Sequence, residues 1–299
     1  MIDRRRFGVI GLIALAFAIF PAVAETVSLD DLRRGTHVHG LAVDRLDPSR
    51  LLVATHHGFF SVTPDGSATR VGTSRNDFMG FTPHPREPKT LFASGHPPTG
   101  GNLGFIVSRD GGMSWEQLSA GVRGPVDFHM MDVSKSDPDV IYGVYGEFQA
   151  SRDGGRTWST VGPPPADVID IGTFARNPDG LFAATRNGLV RSTDGGKSWT
   201  SAYLIRRPVS LVHVHDDGTV FAFVVGTGLI KADEVSLQWS TVANNFGDRV
   251  LLHLAVDASD SSRLYAATQH GEILASADGG QTWAPFGARA GSGGGAISR

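Results

Sequence analysis

The stretch SRDGGMSW at residues 108–115 decides the fold, because it returns three more times almost letter for letter. The other copies are SRDGGRTW at 151–158, STDGGKSW at 192–199 and SADGGQTW at 276–283, and a degenerate copy ends at Trp239. Consecutive tryptophans of this series are 43, 41, 40 and 44 residues apart. A period of about 40–50 residues is typical of a β-propeller, in which each repeat forms one blade.

Each copy has the composition of a tight turn between two strands. The Asp-Gly-Gly step supplies positive φ angles without strain, and the aspartate can accept hydrogen bonds from N–H groups of the turn. The tryptophan begins the next strand, where its ring can pack between neighbouring blades. We therefore predict structural rather than catalytic roles for these residues, which are Asp110, Asp153, Asp194 and Asp278, and Trp115, Trp158, Trp199 and Trp283.

Six such units fit between residues 36 and 287, and the weaker first unit turns at Asp65-Gly66. We assign strands A to D of the first unit to 40–44, 51–55, 59–62 and 69–71, and those of the last to 252–257, 264–268, 273–276 and 282–286. The sequence thus predicts an all-β propeller of six blades, each with four antiparallel strands and the repeated turn as its C–D hairpin. We expect one domain over 25–287 and a flexible Gly/Ser-rich tail over 288–299.

The first 24 residues have the pattern of an export signal. Arg4, Arg5 and Arg6 precede an apolar run over 8–20, and Ala22-Val23-Ala24 matches a cleavage site. The arginine run also resembles a twin-arginine signal, and the sequence leaves that route and the general route open. An uncleaved membrane anchor is the alternative. We expect a periplasmic or secreted protein.

Composition narrows the function classes further. The chain of 299 residues has a formal net charge of −3 and an isoelectric point near 6.4, which argues against nucleic acid as a partner. It contains no cysteine, so disulfides and thiol chemistry are excluded. Nothing in the sequence calls for a second subunit, and we expect a monomer.

Histidines gather where repeat alignment predicts one rim of the channel. Strand A lines the channel of a propeller, so the start of A and the end of B lie on the face opposite the C–D turns. The residues placed there are His37, His39, His56, His57, His96, His129 and His270, with Met79 at the position equivalent to His39. Imidazole with thioether suits copper, and imidazole alone suits zinc or nickel. The alternative is a polar channel lined by ordered water.

Carboxylates are expected at the same rim. They are Asp77, Asp127 and Asp170, before or at strand A of three successive blades, and Glu147 in a B–C turn. Paired carboxylates can act as acid, base or nucleophile in glycoside cleavage. They can equally form turns or orient metal ligands.

The repeated S-x-D-G-G-x-[ST]-W segments resemble the Asp-box, or BNR, repeats of sialidase-like and glycosyl hydrolase propellers. They are also similar to the repeats of sortilin-type domains and of a photosystem II assembly factor, which are binding proteins. Sialidases of this fold carry an arginine in a Phe/Tyr-Arg-Ile-Pro motif near the start of the domain, which this chain lacks. Its nearest string, Ile205-Arg206-Arg207-Pro208, falls in the wrong blade.

The sequence therefore favours an exported binding propeller with a His-rich rim that coordinates a transition metal such as copper. The rival hypothesis is a glycoside hydrolase of the BNR type, and the third is a protein-assembly scaffold. The ligand at the rim would accordingly be a metal, a glycan or a protein.

Overall fold

The chain folds into a ring of six antiparallel sheets, a six-bladed β-propeller, in a computed structural model that describes residues 24–287. The predicted fold class, blade number and strand direction are confirmed. The predicted tail and, except for Ala24, the predicted signal lie outside the described residues. Within residues 24–287, no helix is both long and apolar enough to cross a membrane.

Each blade is made from strands that follow one another along the chain. Blade 1 contains β1 (Thr26–Ser28), β2 (Val38–Val43), β3 (Leu51–Thr55), β4 (Gly58–Val62) and β5 (Ser67–Arg70), and blade 2 contains β6 (Asp77–Pro83), β7 (Leu91–His96), β8 (Phe105–Ser108) and β9 (Glu116–Ser119). Blade 3 contains β10 (Met130–Val133), β11 (Ile141–Tyr145), β12 (Glu147–Ser151) and β13 (Ser159–Gly162).

The second half of the ring repeats this order. Blade 4 contains β14 (Val168–Thr173), β15 (Leu181–Thr185), β16 (Gly188–Ser192) and β17 (Thr200–Ser201), and blade 5 contains β18 (Val209–Val214), β19 (Thr219–Val224), β20 (Gly228–Asp233) and β21 (Ser240–Ala243). Blade 6 contains β22 (Leu251–Asp257), β23 (Asp260–Thr268), β24 (Ile273–Ser276) and β25 (Ala284–Pro285). The strands β2, β6, β10, β14, β18 and β22 contact one another in a closed ring around the channel.

The Asp-Gly-Gly turns are held by their own side chains. In blade 3, Asp153 accepts hydrogen bonds from Ser151 Oγ at 2.8 Å and from Thr157 N at 2.8 Å. The hydroxyl and amide donors of Thr157 hold the pKa of Asp153 at about 2. The same bonds recur in the turns of blades 2, 4 and 6. These aspartates are committed to turn geometry.

The same turns join each blade to the one before it. The Trp158 ring lies 5.3 Å from Phe105 of blade 2 and 4.8 Å from Phe128, centroid to centroid. Gly155, with φ of 84°, lies so close to blade 2 that a Cβ there would come within 2.1 Å of the Phe105 ring. The turn therefore needs glycine for both its backbone angle and its packing.

Blade 1 differs from the expected four strands. The strand β1 adds a fifth strand outside β5, and the helix α1 (Leu29–Gly35) leads from β1 back towards β2. Leu32 on α1 packs with apolar residues of both blade 1 and blade 6, and Arg33 lies 3.8 Å from Glu272 of blade 6. The helix thus fills the seam where the ring closes.

Candidate functional site

A β-bulge in β2 positions the first histidine of the rim. Val38 pairs with Thr55 and Gly40 pairs with Ala54, so His39 is the extra, unpaired residue of the strand. A bulge bends the strand and redirects the side chain of the extra residue. The equivalent bulge in blade 5 turns Ser210 towards blade 6, where its hydroxyl donates to Leu251 O at 2.6 Å. In blade 1 the bulge turns His39 towards blade 2.

The carboxylate that His39 meets there is Asp77, the first residue of β6. Asp77 Oδ1 lies 2.8 Å from His39 Nδ1, and Asp77 Oδ2 lies 2.6 Å from His56 Nδ1. The Asp77 side chain is 6% exposed, whereas that of His56 is 48% exposed. One nitrogen from each ring and one carboxylate oxygen lie within 4.8 Å of one another, a group that could hold a metal ion.

Electrostatics decides the protonation of this group. Burial acts to raise the pKa of Asp77, but the hydrogen bond from His39 and the charges of His39, His56 and His96 outweigh it, and the pKa is lowered. An ionised carboxylate only accepts hydrogen bonds, so both imidazoles donate from Nδ1. An ion bound among these donor atoms would displace the Nδ1 protons, so metal binding here would release protons.

A second group continues the cluster into blade 3. His96, at the end of β7, places its Nε2 3.5 Å from Asp77 Oδ2 and 3.8 Å from Asp127 Oδ2. His129 Nε2 lies 2.8 Å from the same Asp127 oxygen. The hydrogen bond to Asp127 raises the pKa of His129, although burial opposes the shift. Asp127 Oδ1 is buried and has no hydrogen-bond partner among the described residues.

The remaining predicted ligands are placed differently. His57 lies beside His56, with ring centroids 4.9 Å apart, and its Nδ1 is 3.2 Å from Thr36 Oγ1. His270 Nε2 is instead 3.7 Å from Asp248 of blade 6. Among residues 24–287, the hydrogen bonds and ring contacts of the cluster include neither His270, His37 nor Met79.

Two of the predicted carboxylates lie apart from the histidines. Glu147 accepts a hydrogen bond from Thr160 at 2.7 Å and lies 3.0 Å from Arg123, so it connects surface segments. Asp170 lines the channel and accepts backbone hydrogen bonds from Ile171 and from Val212 of blade 5, both at 2.9 Å. Burial, together with the charge of nearby Asp132, raises the pKa of Asp170 to about 7.

Sequence reasoning missed two features of this region. It placed Asp77 at the histidine rim, as a catalytic carboxylate, a turn former or a group that orients metal ligands, but did not name it as a metal ligand. It also passed over His253, whose Nε2 donates to Val38 O across the seam between blades 6 and 1 at 3.3 Å. Burial and the charge of His39 lower the pKa of His253 to about 4, so this ring is neutral at pH 7.

The channel below the rim contains a cavity of about 400 Å³. Its lining includes Lys135, Asp170 and His213. At the face that carries the A–B turns, Arg45 donates to Pro85 O of blade 2 and lies 3.0 Å from Asp216 of blade 5. Arg45 thus reaches across that mouth, and the histidine cluster lies on the opposite face.

These features define a six-bladed propeller with a histidine and carboxylate cluster on one rim. A scan against protein-family models and a search of curated proteins give no match. Similar solved structures include a GH74 enzyme of Niastella koreensis, with 15% sequence identity and a TM-score of 0.61. The match covers 84% of this chain and 45% of the enzyme. The chain therefore spans less than half the length of that enzyme.

Two other similar structures are closer to this chain in length. YCF48 bound to D1 peptide has 16% identity and a TM-score of 0.50, with 88% of this chain and 84% of YCF48 covered. A gluconolactonase-like propeller has 15% identity and a TM-score of 0.59, with 86% and 92% covered. At these identities the likeness shows the fold alone.

Proposed function

We propose that this protein is an exported binding propeller that holds a divalent transition metal ion, with copper or zinc as the best candidates, at His39, His56 and Asp77. The observation that carries the proposal is the buried, ionised Asp77 between two imidazoles, with one donor atom from each residue within 4.8 Å of the others. The three residues come from blades 1 and 2, so the packing of these two neighbouring blades assembles the site.

The donor set supports this class of ligand. Two imidazoles and a carboxylate suit first-row divalent ions, and among these copper has the highest intrinsic affinity. His56 is half exposed, which gives an ion access from solvent and leaves a coordination position for water or a ligand. The export-type N-terminus fits a protein that acts outside the cytoplasm, where metal availability differs from that inside.

The test is elemental analysis of the tag-free, full-length protein after dialysis against copper and, separately, zinc. We expect His39→Ala to lose one equivalent of metal per chain relative to the unmodified protein. His270→Ala is the matched control, because His270 is an exposed rim histidine outside the cluster. Thermal unfolding of each variant checks that the ring stays folded. No metal in the unmodified protein, or full occupancy in His39→Ala, would contradict the proposal.

A second candidate function is glycoside cleavage, and one observation favours it. Asp77 and Asp127 both lie within 3.8 Å of His96 Nε2. Their Oδ2 atoms are therefore at most about 7 Å apart, a limit that overlaps the separations of about 5–9.5 Å found in glycosidases. Against it, a general acid needs a raised pKa, whereas that of Asp77 is lowered. Hydrolysis of an aryl glycoside panel, lost in Asp127→Asn, would favour this function over metal binding.

A scaffold function is the third candidate. It has the support of the likeness to YCF48, a protein whose solved structure holds a D1 peptide. The Ile205 and Leu204 side chains are exposed at 41% and 93% on the loop between blades 4 and 5. Capture of one defined peptide segment by the purified chain, with loss in Leu204→Ser, would support it.

A further inference from the structure

The strongest unexplained feature near the rim is the buried carboxylate of Asp127. Its side chain is 10% exposed, and its Oδ1 has no hydrogen-bond donor among the described residues. A buried carboxylate oxygen without a hydrogen-bond partner carries an uncompensated desolvation cost. A cation bound at this oxygen removes that cost.

The residues around Asp127 repeat the first group one blade further along. His96 ends the second strand of blade 2, and His56 directly follows that of blade 1. Asp127 lies just before the first strand of blade 3, and Asp77 begins that of blade 2. His129 occupies the position of His39 in its own blade. The rotation that relates neighbouring blades therefore carries the His56 and Asp77 pair onto His96 and Asp127.

Met79 of blade 2 is the residue that repeat alignment places at the position of His39. Phe78 packs towards blade 1, and side chains alternate along a strand, so Met79 is directed towards blade 3. In blade 2 the bulge falls between Met79 and Thr82, and Met79 keeps a regular partner. For this reason the first-strand donor of the second group is His129 of blade 3 rather than Met79 of blade 2.

We propose that His96, Asp127 and His129 form a second transition metal site beside the first, so that the rim holds two divalent ions per chain. This inference rests on the proposed function, because both sites use the same chemistry. His129 Nε2 and His96 Nε2 lie 2.8 and 3.8 Å from Asp127 Oδ2. Their side chains are 56% and 37% exposed, so both rings have room to rotate inward onto an ion.

The position of His96 links the two sites. Its Nε2 lies within 3.5 Å of Asp77 and within 3.8 Å of Asp127, so the two carboxylates flank one imidazole. The two Oδ2 atoms are therefore at most about 7 Å apart, and two ions bound at these carboxylates would be close neighbours. Two copper(II) ions this close have coupled electron spins, which gives the pair a spectroscopic signature.

The experiment counts copper and zinc bound to the tag-free, full-length protein by isothermal titration and elemental analysis. We expect two equivalents in the unmodified protein, and one in either His129→Ala or His39→Ala. His270→Ala, which alters an exposed rim histidine of blade 6 outside the cluster, should keep two. Electron paramagnetic resonance of the copper-loaded protein should show a coupled pair that becomes an isolated ion in His129→Ala.

The outcomes separate the two proposals. One equivalent in the unmodified protein, unchanged by His129→Ala, overturns the second site and leaves the first standing. One equivalent lost in both His129→Ala and His39→Ala indicates a single shared ion and also overturns it. No bound metal under any condition overturns the proposed function itself. If His129→Ala unfolds, Asp127→Asn is the replacement, since it keeps the shape of the side chain and removes the charge.

Discussion

The channel carboxylate Asp170 makes the stability of this protein depend on pH in a way that one substitution should remove. Burial, with the charge of Asp132, raises its pKa to about 7 from the unperturbed 3.8, against the effect of two backbone donors. The folded chain therefore keeps a proton that the unfolded chain releases. Stability from this group is full below pH 4 and is lost as the pH rises towards 7.

The size of the effect follows from the shift. Each unit of pKa difference corresponds to about 1.4 kcal/mol, so linkage over this shift predicts that the free energy of unfolding falls by about 2 kcal/mol between pH 5 and pH 7 because of Asp170 alone. In Asp170→Asn that contribution disappears. The variant also loses one of the two accepted backbone hydrogen bonds, from Ile171 or Val212, which lowers stability equally at every pH.

The assay is denaturant unfolding at pH 5, 6 and 7, followed by tryptophan fluorescence. The difference in stability between the unmodified protein and Asp170→Asn should shrink or reverse by about 2 kcal/mol across this range. Asp194→Asn is the control: the hydroxyl and amide of Ser198 hold the pKa of Asp194 at about 2, so its stability should keep the slope of the unmodified protein. Parallel pH profiles for Asp170→Asn and the unmodified protein would refute the reasoning.

Two further substitutions test the ring. Gly155→Ala places a Cβ about 2.1 Å from the Phe105 ring at a positive φ and should lower the unfolding free energy by about 2–4 kcal/mol. Gly111→Ala is the control, because nothing lies within 4 Å of a Cβ there, and it should lower the unfolding free energy less. An equal loss in both variants would show that the contact between blades is unimportant. Leu32→Ala should lower the free energy of unfolding by about 2–3 kcal/mol, measured with denaturant, and should speed amide hydrogen exchange in β1 and β25. A loss of less than about 0.5 kcal/mol would mean that α1 does not close the ring.

The fold could be predicted from the sequence because it is repeated. Four copies of one turn fix the period, and the period fixes the number of blades. The segment that departs from the repeat was missed, although it carries its own signals. Ser28 caps α1 by accepting from Asp31 N at 3.0 Å, and Arg33 and Arg34 lie in its last turn. A helix of seven residues is stabilised by its tertiary contacts, and the repeat offered no template for them.

The sequence predicted which residues form the candidate site better than it predicted how their side chains are arranged. Repeat alignment brings His39, His56, His96 and His129 to one rim because it preserves the depth of each position along its strand. It cannot register a β-bulge, which shifts the facing of every later side chain by one residue. His37 and His39 would share a side in a regular strand, but β2 begins after His37 and His39 is the bulged residue. Of these two histidines, His39 is the one that reaches Asp77.

The pKa values of two related carboxylates shift in opposite directions, and this difference indicates which part of the propeller can bind a cation. Asp77 lies at the rim among three imidazoles, which lower its pKa despite burial. Asp170 lies deeper along the equivalent strand, with backbone donors and the negative Asp132 as neighbours, and its pKa rises to about 7. At neutral pH the first is ionised and the second is half protonated. Asp132 is already paired with Lys135 at 3.1 Å, and a half-protonated Asp170 attracts a cation weakly. Cation binding therefore belongs to the rim, and the channel carboxylates instead tie one blade to the next through backbone hydrogen bonds.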